Sequence, residues 1–196
     1  MTSYWLGERV RLRAVETGDG PLLARLSEQE ERLGDLLNPP RSTEGWQTFA
    51  REHAIADPSG DTYTLIVESR ADGTPVGSIA VHRADPRNGW FEYGITVAAE
   101  HRRRGYAGEA VRLVVRHQFE ERRYRKATAR VFAHNHPSLE LHRHLGFTEE
   151  GCLRRHGFLW GRPVDVVLLA LFAEDFTARH GRTEPLPPPR HLLEDR

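Results

Sequence analysis

The sequence predicts an α/β (α+β) domain in which helices flank a twisted sheet of about seven strands. Three observations carry that expectation. An alternating strand pattern around Val10 and Leu12 is followed by two helical segments, and three strands then form a meander between residues 63 and 97. A long amphipathic helix from Ala107 separates that meander from a further strand, helix and strand pair. A chain of 196 residues is the size of one domain, and its 38% hydrophobic content is enough for a core.

Each element has a local cause. Val10 and Leu12 alternate with Arg9, Arg11 and Arg13, the period of a half-buried strand. Residues 17–19 offer a helix cap, Pro21 suits a first turn, and Leu22, Leu23 and Leu26 share a face, so a helix extends to about Glu31. Residues 34–45, with Asn38, Pro39 and Pro40, read as a loop, and residues 46–56 as a second short helix. Strands are expected at 63–68 and 75–82, divided by a turn at 71–73, and a hairpin turn at 85–89 leads into a strand at 90–97. Over residues 107–121, Ala107, Ala110, Val111, Val114, Val115 and Phe119 share one side, with Arg112, Arg116 and Glu120 on the other. A strand at 127–133, a helix at 137–144 stopped by Gly146-Phe147, and strands at 148–155 and 164–172 around a turn at 160–163 complete the sheet. The domain is expected over residues 1–178, with 179–196 as a proline-rich tail.

Composition narrows the function. The 28 Lys+Arg balance the 28 Asp+Glu, which argues against a life on polyanions, because counterion-release binding needs a basic surface. Lys126 is the only lysine, so nearly all basic residues are arginines, most of them expected on solvated faces. Cys152 is the only cysteine, which excludes an internal disulfide or a thiolate cluster and suits a reducing cytoplasm. The first residues carry Glu8 and Arg9 rather than an apolar leader, and no run of about 18 apolar residues occurs, so a soluble, cytoplasmic protein is expected.

The informative run is the strand at 90–97, the turn at 101–106 and the helix that follows. A strand that feeds a glycine turn into a helix N-terminus aims several backbone N–H groups, and the positive end of a helix dipole, at one point. That is an anion site. A nucleotide P-loop would need Gly-Lys-Ser/Thr and a dinucleotide site G-x-G-x-x-G, and neither is present. The turn reads Arg102-Arg103-Arg104-Gly105-Tyr106-Ala107-Gly108, of the form R-x-x-G-x-A.

Downstream stands Asn135-His136-Pro137-Ser138, then a helix that ends at Gly146-Phe147. With the loop, this arrangement resembles the GNAT acyltransferase superfamily. Phe91-Glu92-Tyr93-Gly94-Ile95, Gly108-Glu109-Ala110, Glu150-Gly151-Cys152-Leu153-Arg154 and Gly161-Arg162-Pro163-Val164-Asp165 further resemble its RimJ/RimL-like branch, and the likeness spans residues 7–176. The resemblance implies a GNAT acyl-CoA N-acyltransferase fold with a mixed, mostly antiparallel sheet. It also implies acetyl-CoA as acyl donor, with no metal, and an amine acceptor, either a peptide N-terminus or a small molecule. Loop amides of Arg103, Arg104, Gly105, Ala107 and Gly108 would hold the pyrophosphate with added charge from Arg102. Strand backbone at Ile95, Thr96 and Val97 would pair with the pantetheine arm, and Asn135 and Ser138 would contact the cofactor across a splayed gap.

Catalysis in this superfamily is direct attack of an amine on the thioester in a ternary complex. It requires removal of a proton from the amine and a proton for the leaving thiolate. Glu92 matches an acidic position of the RimJ/RimL-like pattern and is the candidate base, the alternative being a carboxylate in a structural pair. Many members place a tyrosine acid seven residues after the asparagine, and here that position is His142, a candidate proton donor. His142 and His144 diverge on their helix, so they do not form a metal pair. Trp46, Trp160 and Arg162 are candidate acceptor-binding residues beside Trp90, with ordinary packing as the alternative for each tryptophan. The last strand and the tail are the segments on which a homodimer would rest. A non-catalytic acyl-CoA-binding module of the same fold is the competing reading.

Overall fold

The computed structural model describes residues 3–33, 39–56 and 59–182. The expected alternation forms β1 (Val10–Ala14), with Val10 and Leu12 buried. A 3-10 turn (Thr17–Asp19) leads into α1 (Gly20–Leu33), and α2 (Thr43–Ala54) follows. The second helix starts a turn earlier than expected, because Ser42 caps it by accepting the N–H of Gly45 at 3.0 Å. The rest of the expected loop, residues 34–38, lies outside the described residues.

The meander is β2 (Tyr63–Ser69), β3 (Pro75–Asp85) and β4 (Trp90–Val97), followed by a 3-10 turn (Ala99–His101) and α3 (Tyr106–Glu120). Then come β5 (Lys126–Phe132), α4 (His136–Leu145), β6 (Thr148–Leu159) and β7 (Arg162–Phe172). The β6–β7 turn is tighter than expected, since Trp160 and Gly161 both have positive φ, 48° and 73°, the geometry of a two-residue hairpin turn. A last helix, α5 (Ala173–His180), was not expected from the sequence and carries the chain two residues past the expected domain boundary. Residues 183–196, with the proline-rich run, lie outside the described residues.

The seven strands form one sheet in the order β1-β2-β3-β4-β5-β7-β6. Every pair is antiparallel except β4 with β5. One face carries the main core, where Val111, Val114, Val115 and Phe119 of α3 meet Phe91, Ala127, Leu169 and Phe176. The other face, over the first strands, packs Leu22, Leu23 and Leu26 of α1 and Ala50 of α2 on Ile66 and Ala98. Two polar clamps fix these layers. Arg13 holds Asp19 through two hydrogen bonds of 2.8 and 2.9 Å and Glu68 at 3.0 Å, joining β1, the first turn and β2. Glu109, in the first turn of α3, accepts the N–H groups of Glu8, Arg9 and Val10, each at 2.8 Å. The second clamp presses the entry to β1 against the start of α3 so closely that a side chain at Gly7 would strike the Glu109 carboxylate.

Candidate active site

The site begins where two strands part. β4 and β5 pair only at Trp90↔Lys126, Phe91↔Ala127 and Glu92↔Thr128, and the Thr128 hydroxyl closes this end by donating to the Phe91 carbonyl at 3.0 Å. Beyond Glu92 the strands separate, so Ile95, Thr96 and Val97 stand on an edge that β5 does not cover. A strand edge without a neighbour offers its backbone to an extended ligand.

At the far end of β4 the chain enters the arginine-glycine loop. Arg103 and Gly105 both take left-handed backbone, φ 61° and 82°, and this turns successive N–H groups toward one side. Among the described residues the N–H groups of Arg103, Arg104, Gly105, Tyr106, Ala107 and Gly108 have no acceptor, and the first helical bond of α3 is Glu109 to Gly105. Six free donors at a helix N-terminus fit a pyrophosphate. Arg102 folds its guanidinium onto the Val97 carbonyl at 3.0 Å, and Arg104 reaches the Glu100 carbonyl at 3.3 Å. Arg9 was missed by sequence reasoning. It donates to the Arg104 carbonyl at 3.2 Å and lies where a side chain on Gly105 would project.

Glu92 sits at the point of separation, 9% exposed, on the face away from α3. His82 Nε2 lies 3.0 Å from its Oε1, and Arg130 Nε lies 3.7 Å from its Oε2. Burial pushes the Glu92 carboxyl up, but the hydrogen bond to His82 and the charges of His82, Arg130 and Arg83 outweigh it, so Glu92 ionises below its usual range. A cavity of about 270 Å³ opens beside it, lined by Trp90, Lys126, Thr128, Arg130, Glu150 and Leu168 among others. Lys126 and Glu150 pair across it at 2.6 Å.

His142 lies across the gap on α4, 3% exposed, between the rings of Tyr93 and Phe147. Its Nδ1 is 2.7 Å from the Ser138 carbonyl, a contact that places the proton on Nδ1 and leaves Nε2 bare in the neutral ring. Burial holds its pKa below the ordinary histidine value despite that bond. Asn135 caps α4 by accepting from the Ser138 N–H at 3.3 Å, which sets both residues at the helix start beside the gap. The candidate acceptor residues are not gathered. Trp46 packs on Phe49 under the Arg41 guanidinium, Trp160 is exposed at the hairpin tip near His134, and Arg162 is exposed at the start of β7. Trp90 alone among the tryptophans lines the cavity. Among the described residues no group of three or more His, Cys, Asp or Glu could hold a metal ion, and no helix is long and apolar enough to cross a membrane.

A parallel pair that opens halfway, with a glycine loop and helix N-terminus at its open end, defines an acyl-CoA transferase fold. Residues 9–148 match the acetyltransferase (GNAT) domain family, and the chain belongs to it. It is 34% identical to the SPbeta prophage-derived uncharacterized N-acetyltransferase YokL of Bacillus subtilis over 179 residues, 91% of this chain and 98% of that one. Its fold is similar to RimL, a ribosomal L7/L12 alpha-N-protein acetyltransferase solved in complex with coenzyme A (TM-score 0.74, 19% identity, 85% of this chain and 95% of that one). It is also similar in fold to a variant of the spermidine N-acetyltransferase SpeG from Vibrio cholerae (TM-score 0.75, 21% identity, 88% of this chain and 99% of that one). The chain is therefore an N-acetyltransferase with the expected mixed, mostly antiparallel sheet.

Proposed function

We propose that this protein moves an acetyl group from acetyl-CoA to a single primary amine, either a peptide α-amine, as in a RimJ/RimL-like enzyme, or the amine of a small molecule. The observation that carries this reading is the loop at 103–108, whose six unsatisfied N–H groups stand at the open end of the split between β4 and β5. Bound acetyl-CoA supplies an activated acyl thioester. The loop amides bind its pyrophosphate, with charge from the arginines, and the stretch of β4 that β5 does not cover, Ile95, Thr96 and Val97, orients the arm. Asn135 and Ser138 flank the arm from the other wall.

Glu92 takes the proton of the acceptor amine, directly or through water. Its low pKa keeps it anionic across the neutral range, so it attracts an ammonium as well as accepting its proton. His142, buried and holding its proton on Nδ1 toward Ser138, shapes the wall of the gap. The cavity beside Glu92 receives the acceptor, with Trp90 and Leu168 for its carbon skeleton. Its two carboxylates are already matched, Glu92 by His82 and Arg130 and Glu150 by Lys126, which favours one amine over a polycation. Trp160 and Arg162, on the β6–β7 hairpin, and Trp46 on α2 are assigned to more distant parts of a larger acceptor. A cytoplasmic location and a homodimer belong to the same proposal, although β7, the last strand, is paired on both sides by β5 and β6 and offers no free edge to a second copy.

A thiol-release assay with acetyl-CoA tests it across N-terminal peptides, amino acids and polyamines. Release with a monoamine or peptide and not with spermidine supports the reading. Binding of acetyl-CoA with no release on any acceptor supports the non-catalytic module instead.

A further inference from the structure

Tyr93 is the first residue of β4 beyond the last β4–β5 pair, Glu92↔Thr128. Its side chain belongs to the core on the α3 side of the sheet, the face opposite Glu92. It is 4% exposed, and its hydroxyl is buried with no hydrogen-bond partner among the described residues. A buried phenol without a partner is unfavourable and requires an explanation, which a ligand in the split would supply. The ring does not stay on its own strand. It meets His142 at 5.9 Å between centroids, tilted 32°, and Phe147 at 6.0 Å. Those two rings lie on α4 and just after it, on the far wall of the split. A side chain rooted on one wall and touching the other spans the opening where the strands part.

We propose that the Tyr93 hydroxyl is a hydrogen-bond donor to the sulfur of the acyl donor lying in this split, stabilising it as it becomes a thiolate. The inference rests on the acetyl-CoA reading of the loop. Burial pushes the phenol well above its ordinary value, so Tyr93 gives a hydrogen bond and keeps its proton. No covalent bond to the protein forms. His142 presents no proton on the Nε2 side and serves to hold the Tyr93 ring together with Phe147. This separates the role from that of a proton-transferring acid: a neutral donor preorganised at the departing sulfur acts by electrostatic stabilisation.

Tyr93→Phe keeps the ring and removes only the hydroxyl. Calorimetry at pH 9, above the ordinary thiol pKa of about 8.5, compares CoA with desulfo-CoA, which lacks the sulfur. The variant is expected to bind CoA about tenfold more weakly and desulfo-CoA as wild type does, to lose about tenfold in kcat, and to melt at the same temperature or higher. Unchanged CoA affinity overturns the proposal. So does an equal loss of affinity for both ligands, or a lowered melting temperature with CoA binding intact, each of which marks the hydroxyl as structural. Wild-type protein that binds neither ligand overturns the acetyl-CoA reading itself, and the assignment of Tyr93 with it.

Discussion

His82 faces Glu92 because the β3–β4 register shifts between Val81 and Arg83, leaving His82 as the extra residue, with its Nε2 3.0 Å from Glu92 Oε1. A bulge thus aims an imidazole at the carboxylate that stands where β4 and β5 part. With Arg130 at 3.7 Å on the other oxygen, Glu92 is held as an anion and oriented toward the cavity.

Replacing that carboxylate separates binding from turnover. Glu92→Gln is expected to bind acetyl-CoA with wild-type affinity and to lose about 100-fold or more in kcat, the usual worth of a positioned base. Steady-state kinetics beside calorimetry check this, and an unaltered kcat removes Glu92 from catalysis.

The partner of Glu92 sets where it titrates. Since the hydrogen bond and charge of His82 lower the Glu92 pKa, His82→Ala is expected to move the acidic limb of the kcat profile upward. The sign is fixed by the loss of a group that favours the anion. A profile that stays in place, or moves down, contradicts the coupling.

His142 makes folding sensitive to acid. Its folded pKa lies below the ordinary value, so on acidification below about 6.5 the unfolded chain takes up a proton that the folded chain refuses, and stability falls. His142→Phe is expected to lose less stability than wild type between pH 7.5 and pH 5.5, with kcat within about threefold. Urea melts at the two pH values measure this, and an equal loss in both proteins contradicts it.

Glu109 ties the entry of β1 to the start of α3. Glu109→Ala leaves the N–H groups of Glu8, Arg9 and Val10 without an acceptor and is expected to destabilise the fold by about 3 kcal/mol or more. Arg9 follows the same segment to the loop at Gly105, so acetyl-CoA affinity should fall as well. Denaturation and calorimetry on one preparation check both effects.

Much of this was legible in the sequence for local reasons. β4 runs from Trp90 to Val97 as its bounding turn residues imply, and Gly146, at φ 98°, ends α4 where the Gly-Phe pair placed the stop. Gly45 reads as a breaker, yet Ser42 caps a helix that runs through it. The last helix escaped notice because Phe176 is its one buried residue among charged neighbours. The surroundings of Glu92 were not legible at all. His82 and Arg130 reach it through strand pairing and a bulge, and the unsatisfied hydroxyl of Tyr93 shows only once β4 and β5 are seen to part.

On the proposed function, the loop around Gly105 holds the acyl donor. Gly105 has φ 82°, which aspartate tolerates better than most residues, and a side chain there projects at Arg9, so Gly105→Asp should fold while placing a negative charge in the cradle. Calorimetric titration with acetyl-CoA is expected to show saturable binding by wild type and none by a variant with a native melting curve. Equal binding by the two proteins, or none by wild type, would contradict the account.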